Sequence, residues 1–318
     1  VAYFDCFSGI SGDMCLGSIV DAGVNLSKID EELKKINIAG YKLISRKVKR
    51  VNISATKVDV VIRSKDKESK RWKDIENLIL SSHLSEDVKK KGICVFKRLF
   101  EAEANVHGVS LKDAHLHELG GIDCIIDILG TIIGLNLLGV KKVYVSPINL
   151  GSGTIKISHG ILPVPAPATL KLLKGYSIYS SNSSFELTTP TGAAIISGLL
   201  AEPSLIPNMK LKMVGYGAGN KDLPNTPNVL RILIGEEYIP FPEDYIIVME
   251  TNIDDMNPQI YENVIEKLFD AGALDVFLEN IIMKKGRPAI KLSILLRETE
   301  IEKISNILFN ETTTIGVR

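Results

Sequence analysis

The chain has 318 residues, with 38 Lys and Arg against 38 Asp and Glu and a formal net charge of zero. That balance excludes a global electrostatic pull toward nucleic acid or an anionic membrane. At 45% hydrophobic and 24% charged the composition is that of a globular protein, and the length predicts about two domains. The longest apolar run, Ile125 to Leu138, is broken by Asp, Gly and Asn and is too short for a membrane span. Cys6, Cys15, Cys94 and Cys124 form no CxxC pair, and no charged leader with a cleavable apolar region opens the chain. A reduced, cytoplasmic protein is expected.

The first element is an apolar strand, Val1 to Phe7, which enters a helix near Asp13 through a Gly/Ser turn; the helix ends at Gly23. A short helix capped by Ser27 runs to about Ile36. Two strand-like runs follow, Tyr41 to Arg50 and Ala55 to Arg63, and predict a hairpin in which Val58, Val60 and Ile62 share a face. From Lys42 to Lys73 twelve basic residues stand against three acidic ones, which reads as a solvated face. Two scaffold helices follow, the second over Ser85 to Val106. The helix Ile122 to Leu138 is apolar nearly all round and is predicted to be buried, with a strand, Lys142 to Pro147, after it. Pro163, Pro165 and Pro167 stiffen the approach to a helix at Ala168 to Leu173, and Gly215 to Pro227 reads as a long loop.

From Asp244 the pattern is strand (Tyr245 to Thr251), helix (Pro258 to Ala271), strand (Leu274 to Glu279), strand (Ala289 to Leu296) and helix (Glu298 to Leu308). That order, βαββα, matches a ferredoxin-like βαββαβ sandwich without its last strand. The missing strand is expected to begin near Thr313 and lie mostly beyond Arg318, as if the chain were cut inside a domain. A start without Met suggests trimming there as well. The fold class is therefore α+β: a mixed α/β region over 1–240 and a truncated ferredoxin-like domain over 244–318.

Chemistry-bearing residues fall into several blocks. FDCFSGISGDM, Phe4 to Met14, sets Ser8, Gly9, Ser11 and Gly12 before a helix N-terminus, where free amides favour an anion. Asp5 and Asp13 would repel phosphate there unless a cation intervenes. Asp13 is also explained as a helix cap, whereas Asp5, at the end of an apolar strand, demands a donor or a metal. HLHELGGIDCIID crowds His115, His117, Glu118, Asp123 and Asp127 into thirteen residues, a donor set suited to Zn, Ni or Fe. Asp123 is explained as a helix cap; Asp127, one turn further in, is not. His159 lies on a loop that can reach the same site, while His83 and His107 are expected to face solvent. In ELTTPTGAA, Thr189 precedes a helix start and offers a hydroxyl to an anion. In the last segment Asp254 and Asp255 suit Mg or Mn, and Lys284, Lys285 and Arg287 on a hairpin suit phosphates. NETTTIGVR adds Thr313.

Taken in order, FDCFSGISGDM, HLHELGGIDCIIDI, SHGILPVPAPAT, ELTTPTGAA, GYGAGNKDLPNTPN, ETNIDDM, MKKGRP and NETTTIGVR closely resemble the LarC family over essentially the whole chain. The resemblance implies a nickel insertase that uses CTP and Mg or Mn. Its substrate would be pyridinium-3,5-bisthiocarboxylic acid mononucleotide, loaded with nickel to form the pincer cofactor of lactate racemase. It also implies a cytoplasmic homo-oligomer, with the lactate racemase apoprotein as a possible partner and neither nucleic acid nor membrane. Family members run on past the end of this chain and often carry a His-rich insertion that this sequence lacks. Candidates for the base that removes the ring proton are Asp5, Asp13, His115 and Glu118. Ligands for nickel would come from His115, His117, Asp123, Asp127 and His159. The substrate phosphate would go to the Gly/Ser loop, and CTP to Lys284, Lys285 and Arg287 with a divalent ion at Asp254 or Asp255. Two other functions use the same residues: a metal-dependent phosphohydrolase, and a nickel or nucleotide carrier without turnover.

Overall fold

The structure is a computed structural model and describes residues 1–62, 70–114, 116, 121–157, 160–181, 183–238 and 245–318. The chain divides into two compact units, Val1–Ile239 and Pro240–Arg318. Sheets and helices are mixed in both, which makes the fold α+β.

In the first unit β1 (Ala2–Asp5) leads into α1 (Gly12–Asp21) and α2 (Leu26–Leu33), and then into the hairpin β2 (Tyr41–Arg50) and β3 (Ile53–Ile62). The cap of α2 is Asn25, whose side chain accepts the Ser27 N–H at 2.9 Å, two residues before the expected position. Three helices follow: α3 (Trp72–Leu80), α4 (Glu86–His107) and α5 (Ile122–Leu137). Short strands come next, β4 (Val143–Val145), β5 (Ile148–Asn149), β6 (Thr154–Ile157) and β7 (Gly160–Pro163), then α6 (Pro167–Leu172), β8 (Ile178–Tyr179), α7 (Pro190–Gly198) and β9 (Glu202–Pro203). Two long strands, β10 (Met209–Ala218) and β11 (Val229–Glu237), complete the unit.

Among the described residues seven strands form one sheet in the order β2-β3-β10-β11-β1-β4-β9. β1 runs antiparallel to β11 and parallel to β4, so the first strand sits inside the sheet. Strand alternation splits its side chains: Ala2 and Phe4 join the large core under the helices, and Tyr3 packs with Tyr144 and Leu233 on the opposite face. As its sequence predicts, α5 is buried on nearly every side. Trp72 and Phe100 fix α3 to α4 by an edge-on ring contact at 5.7 Å.

The stretch expected to be a loop from Gly215 begins instead as the end of β10, and the connection starts only at Gly219. A Cβ at Gly215 would strike the Ser18 carbonyl, and one at Gly217 would strike that of Met14. The alternating glycines thus let α1 lie directly on the sheet. Gly217→Ala is expected to lower stability by about 3 kcal/mol, read as a shift of the urea midpoint, because helix backbone cannot yield to a methyl group.

The second unit runs β12 (Ile247–Ile253), α8 (Ile260–Asp270), β13 (Asp275–Met283), β14 (Arg287–Leu296) and α9 (Ile301–Glu311). Its three strands form an antiparallel sheet in the order β12-β14-β13. Val264 and Leu268 of α8 meet Leu292 and Ile294 of β14 and Ile304 and Leu308 of α9 in a separate core. Glu250 and Arg318 exchange backbone hydrogen bonds of 2.9 and 3.0 Å along β12. Among the described residues no helix is long and apolar enough to cross a membrane.

Candidate functional site

The loop after β1 is stitched to the segment before α7. Ile10 donates to the Leu187 carbonyl at 3.0 Å and accepts the Thr189 N–H at 3.0 Å. Gly9 has φ +79°, and a side chain there would run into the Leu187 backbone. This seam brings the N-termini of α1 and α7 together, and α5 begins beside them. A Cβ at Gly12, the first residue of α1, would collide with the Asp127 carboxylate of α5 and with the Thr191 methyl of α7. Gly12 is small because Asp127 occupies that space.

These ends open onto a cleft of about 720 Å³, closed on its other sides by β3, the last turns of α4 and the β6–β7 hairpin. Its described carboxylates are Asp13, Asp59, Glu103, Asp123, Asp127 and Glu186, against the basic residues Lys57 and His107. The cleft is therefore acidic although the chain is neutral.

At its floor the Asp13 carboxylate divides its two oxygens. Oδ1 accepts the Ser11 hydroxyl and the Met14 N–H, the latter at 2.9 Å, and Oδ2 is ion-paired with Lys57. The Lys57 side chain is only 2% exposed and lies 3.7 Å from Asp59 as well. Nearby, Asp127 Oδ1 is shielded from solvent and has no hydrogen-bond partner among the described residues. Burial holds the Asp127 carboxyl well above the usual carboxylate range, and the negative charges of Asp13 and Asp123 push it the same way; Lys57 opposes them. Burial also pushes up the thiols of Cys6, Cys15 and Cys124, and none of the three lines the cleft.

The Gly/Ser loop splits: Ser11 and Gly12 line the cleft, whereas Ser8 is fully buried and Gly9 lies against Leu187. Thr189 caps α7 by accepting the Gly192 N–H at 3.2 Å, and it borders the cleft. Asp123 and Asp127 also border it; the cap position of α5 is Gly121, with Asp123 in the first turn. His115, His117, Glu118 and His159 lie outside the described residues. Among the described residues no three His, Cys, Asp or Glu side chains converge closely enough to hold a metal ion.

Asp5 does not line the cleft. Its carboxylate takes both Nε, at 2.8 Å, and Nη2 of Arg231, its neighbour across the sheet on β11. The donor that a strand-end carboxylate demands is thus an arginine 226 residues away. Asp5→Asn is expected to cost about 2 kcal/mol in urea unfolding, as a charge-assisted fork becomes a neutral contact.

Sequence reasoning singled out none of Lys57, Asp59, Glu103 and His107 as cleft residues. Lys57 was part of a basic run read as solvated, yet it is buried in an ion pair. His107 is exposed, as expected, and also borders the cleft, with its Nε2 3.5 Å from Glu103 one turn back. The i, i+4 spacing of Glu103 and His107 was the available signal.

In the second unit Arg287 Nη1 contacts Asp254 at 3.2 Å, and the Thr313 hydroxyl donates to Asp255. Lys284 and Lys285 sit in the turn between β13 and β14, where Lys285 takes the left-handed conformation at φ +63°. Acidic and basic groups meet at this end of the sheet.

Comparison with known proteins places this chain in a family. The profile of nickel insertion proteins matches residues 2–318. The pyridinium-3,5-bisthiocarboxylic acid mononucleotide nickel insertion protein of Geobacillus kaustophilus is 42% identical, aligned over 100% of this chain and 82% of its own length. Its namesake in Desulfitobacterium hafniense is 44% identical over 100% of this chain and 80% of its own. Among solved structures, this chain is similar to the C-terminal domain of a cyclometallase involved in the synthesis of the NPN cofactor of lactate racemase. That match is 41% identical over 23% of this chain and 51% of the other, with a TM-score of 0.23. The chain belongs to the nickel insertion protein family.

Proposed function

We propose that the protein is a CTP-dependent insertase that places nickel into pyridinium-3,5-bisthiocarboxylic acid mononucleotide. The observation that carries the reading is the acidic cleft of the first unit, bordered by Asp127, whose Oδ1 is shielded and without a hydrogen-bond partner among the described residues. Carboxylates and imidazoles suit a borderline dication, which is substrate here, while the thiocarboxylates of the organic ligand are softer donors able to draw it away. Asp123 and Asp127 hold the incoming nickel, joined by His115, His117 and His159 and with the Asp13 carboxylate within its reach, and Glu118 takes the ring proton lost when the metal-carbon bond forms. Thr189, at the N-terminus of α7, receives the phosphate.

The second unit is read as ferredoxin-like and as the site of CTP. Arg287, Lys284 and Lys285 bind its phosphates, with Thr313 alongside. Asp254 and Asp255 are hard oxygen donors at a strand end and fit Mg2+ or Mn2+, which would neutralise phosphate charge. The setting would be the cytoplasm, with the protein assembled as an oligomer and its product delivered to lactate racemase.

The test is to incubate the protein with nickel, Mg2+, CTP and the bisthiocarboxylated mononucleotide, and to measure nickel in the isolated organic product. Product that forms only with CTP is expected. Equal yield without CTP would remove the nucleotide from the account.

A further inference from the structure

We propose that Lys57 is a resident counter-cation that competes with incoming nickel for the Asp13 carboxylate, so that the cleft holds the metal loosely enough to pass it on. The proposal rests on the reading of this cleft as the nickel-loading site. The argument starts from the two oxygens of Asp13. Oδ1 already accepts the Ser11 hydroxyl and the Met14 N–H, which leaves Oδ2 as the oxygen for a cation, and Oδ2 is where the Lys57 ammonium sits. The side chain of Lys57 is 2% exposed, so water does little to screen it. Asp59, 3.7 Å away, also steadies the ammonium.

Asp127 gives independent reason to expect a cation here. Its Oδ1 is shielded and without a partner among the described residues, and the carboxylate lies against the first residue of α1, next to Asp13. A dication attracted to Asp127 meets a fixed positive charge at the neighbouring carboxylate. Two unit charges a few ångströms apart in a partly desolvated cleft interact strongly enough to change a binding constant by about tenfold or more. An insertase must bind its metal and also surrender it, and a built-in competitor sets that balance without removing ligands.

The experiment is equilibrium dialysis of the full chain against Ni2+, with release then timed after addition of pyridine-2,6-bisthiocarboxylate as a soft acceptor. Lys57→Met and Lys57→Gln are expected to bind nickel at least about tenfold more tightly than the parent and to release it more slowly. Lys57→Arg, which keeps the charge, is expected to stay within about twofold of the parent. Circular dichroism identifies folded variants, and Gln, which retains a donor toward Asp13, serves if Met does not fold. Unchanged or weaker nickel binding in Met and Gln, with Asp127→Asn still weakening it, would overturn the role of Lys57 and leave the cleft as the nickel site. Nickel binding unaffected by Asp127→Asn would overturn the reading of the cleft and the proposal with it.

Discussion

Asp127→Asn is expected to make the metal-free protein more stable at pH 7 and to weaken nickel binding by about tenfold or more. The Asp127 carboxyl is held above its ordinary range by burial, reinforced by Asp13 and Asp123. Below the unfolded-state pKa of about 4, the folded and unfolded chains both carry the proton. As pH rises past that value the unfolded chain ionises while the folded one does not, and stability is lost until the folded-state pKa is passed. Asparagine has no proton to lose, so the variant escapes this decline. Urea unfolding between pH 4 and 8 reads the effect directly. A variant less stable than the parent at pH 7, with the same pH slope, would show that Asp127 is ionised and compensated in the apo fold. A gain in stability with a loss of metal binding is what a functional carboxylate kept at a cost should give.

Asp13→Asn is expected to have the opposite effect, a loss of about 3 kcal/mol, because it leaves the buried ammonium of Lys57 without its main partner. Asp59, 3.7 Å from the same ammonium and 32% exposed, offsets part of that cost. The second half of the prediction is coupling: in Asp13→Asn combined with Lys57→Met the stranded charge is gone, and most of the loss should be recovered. Denaturant unfolding of the two single variants and the double one provides the cycle. Additive losses would mean that the two side chains do not act as a pair.

Much of the architecture was legible because it is local. The strand, turn and helix at the start of the chain, the β2–β3 hairpin, the buried helix α5 and the βαββα order all follow from hydrophobic period and turn residues within short windows. Misreadings arose where a residue's partner is remote. Gly215 and Gly217 resemble turn glycines until α1 is laid over them, and only then does their lack of a side chain become a packing requirement. Asp5 poses a correct question, what balances a carboxylate at a strand end, but its answer is Arg231 on β11, which no local window contains. Lys57 is the plainest case. Charge counting from Lys42 to Lys73 averages it with exposed neighbours such as Lys47, 67% exposed against its own 2%. The buried ion pair with Asp13 depends on β3 passing beneath the start of α1. By contrast, the oddity of Asp127 was visible in sequence, since an aspartate one turn inside an apolar helix has no capping role, and in the structure the residue borders an acidic cleft while its Oδ1 is shielded from solvent.

The central claim is that nickel is loaded in the cleft shared by α1, α5 and α7. Crystals of the protein soaked with Ni2+ and measured at the nickel absorption edge test it most directly, because the anomalous signal locates the metal without reference to activity. The account predicts a peak beside Asp127 and within reach of Asp13. A nickel peak found only at Asp254 and Asp255 in the second unit, with none in the cleft, would contradict it.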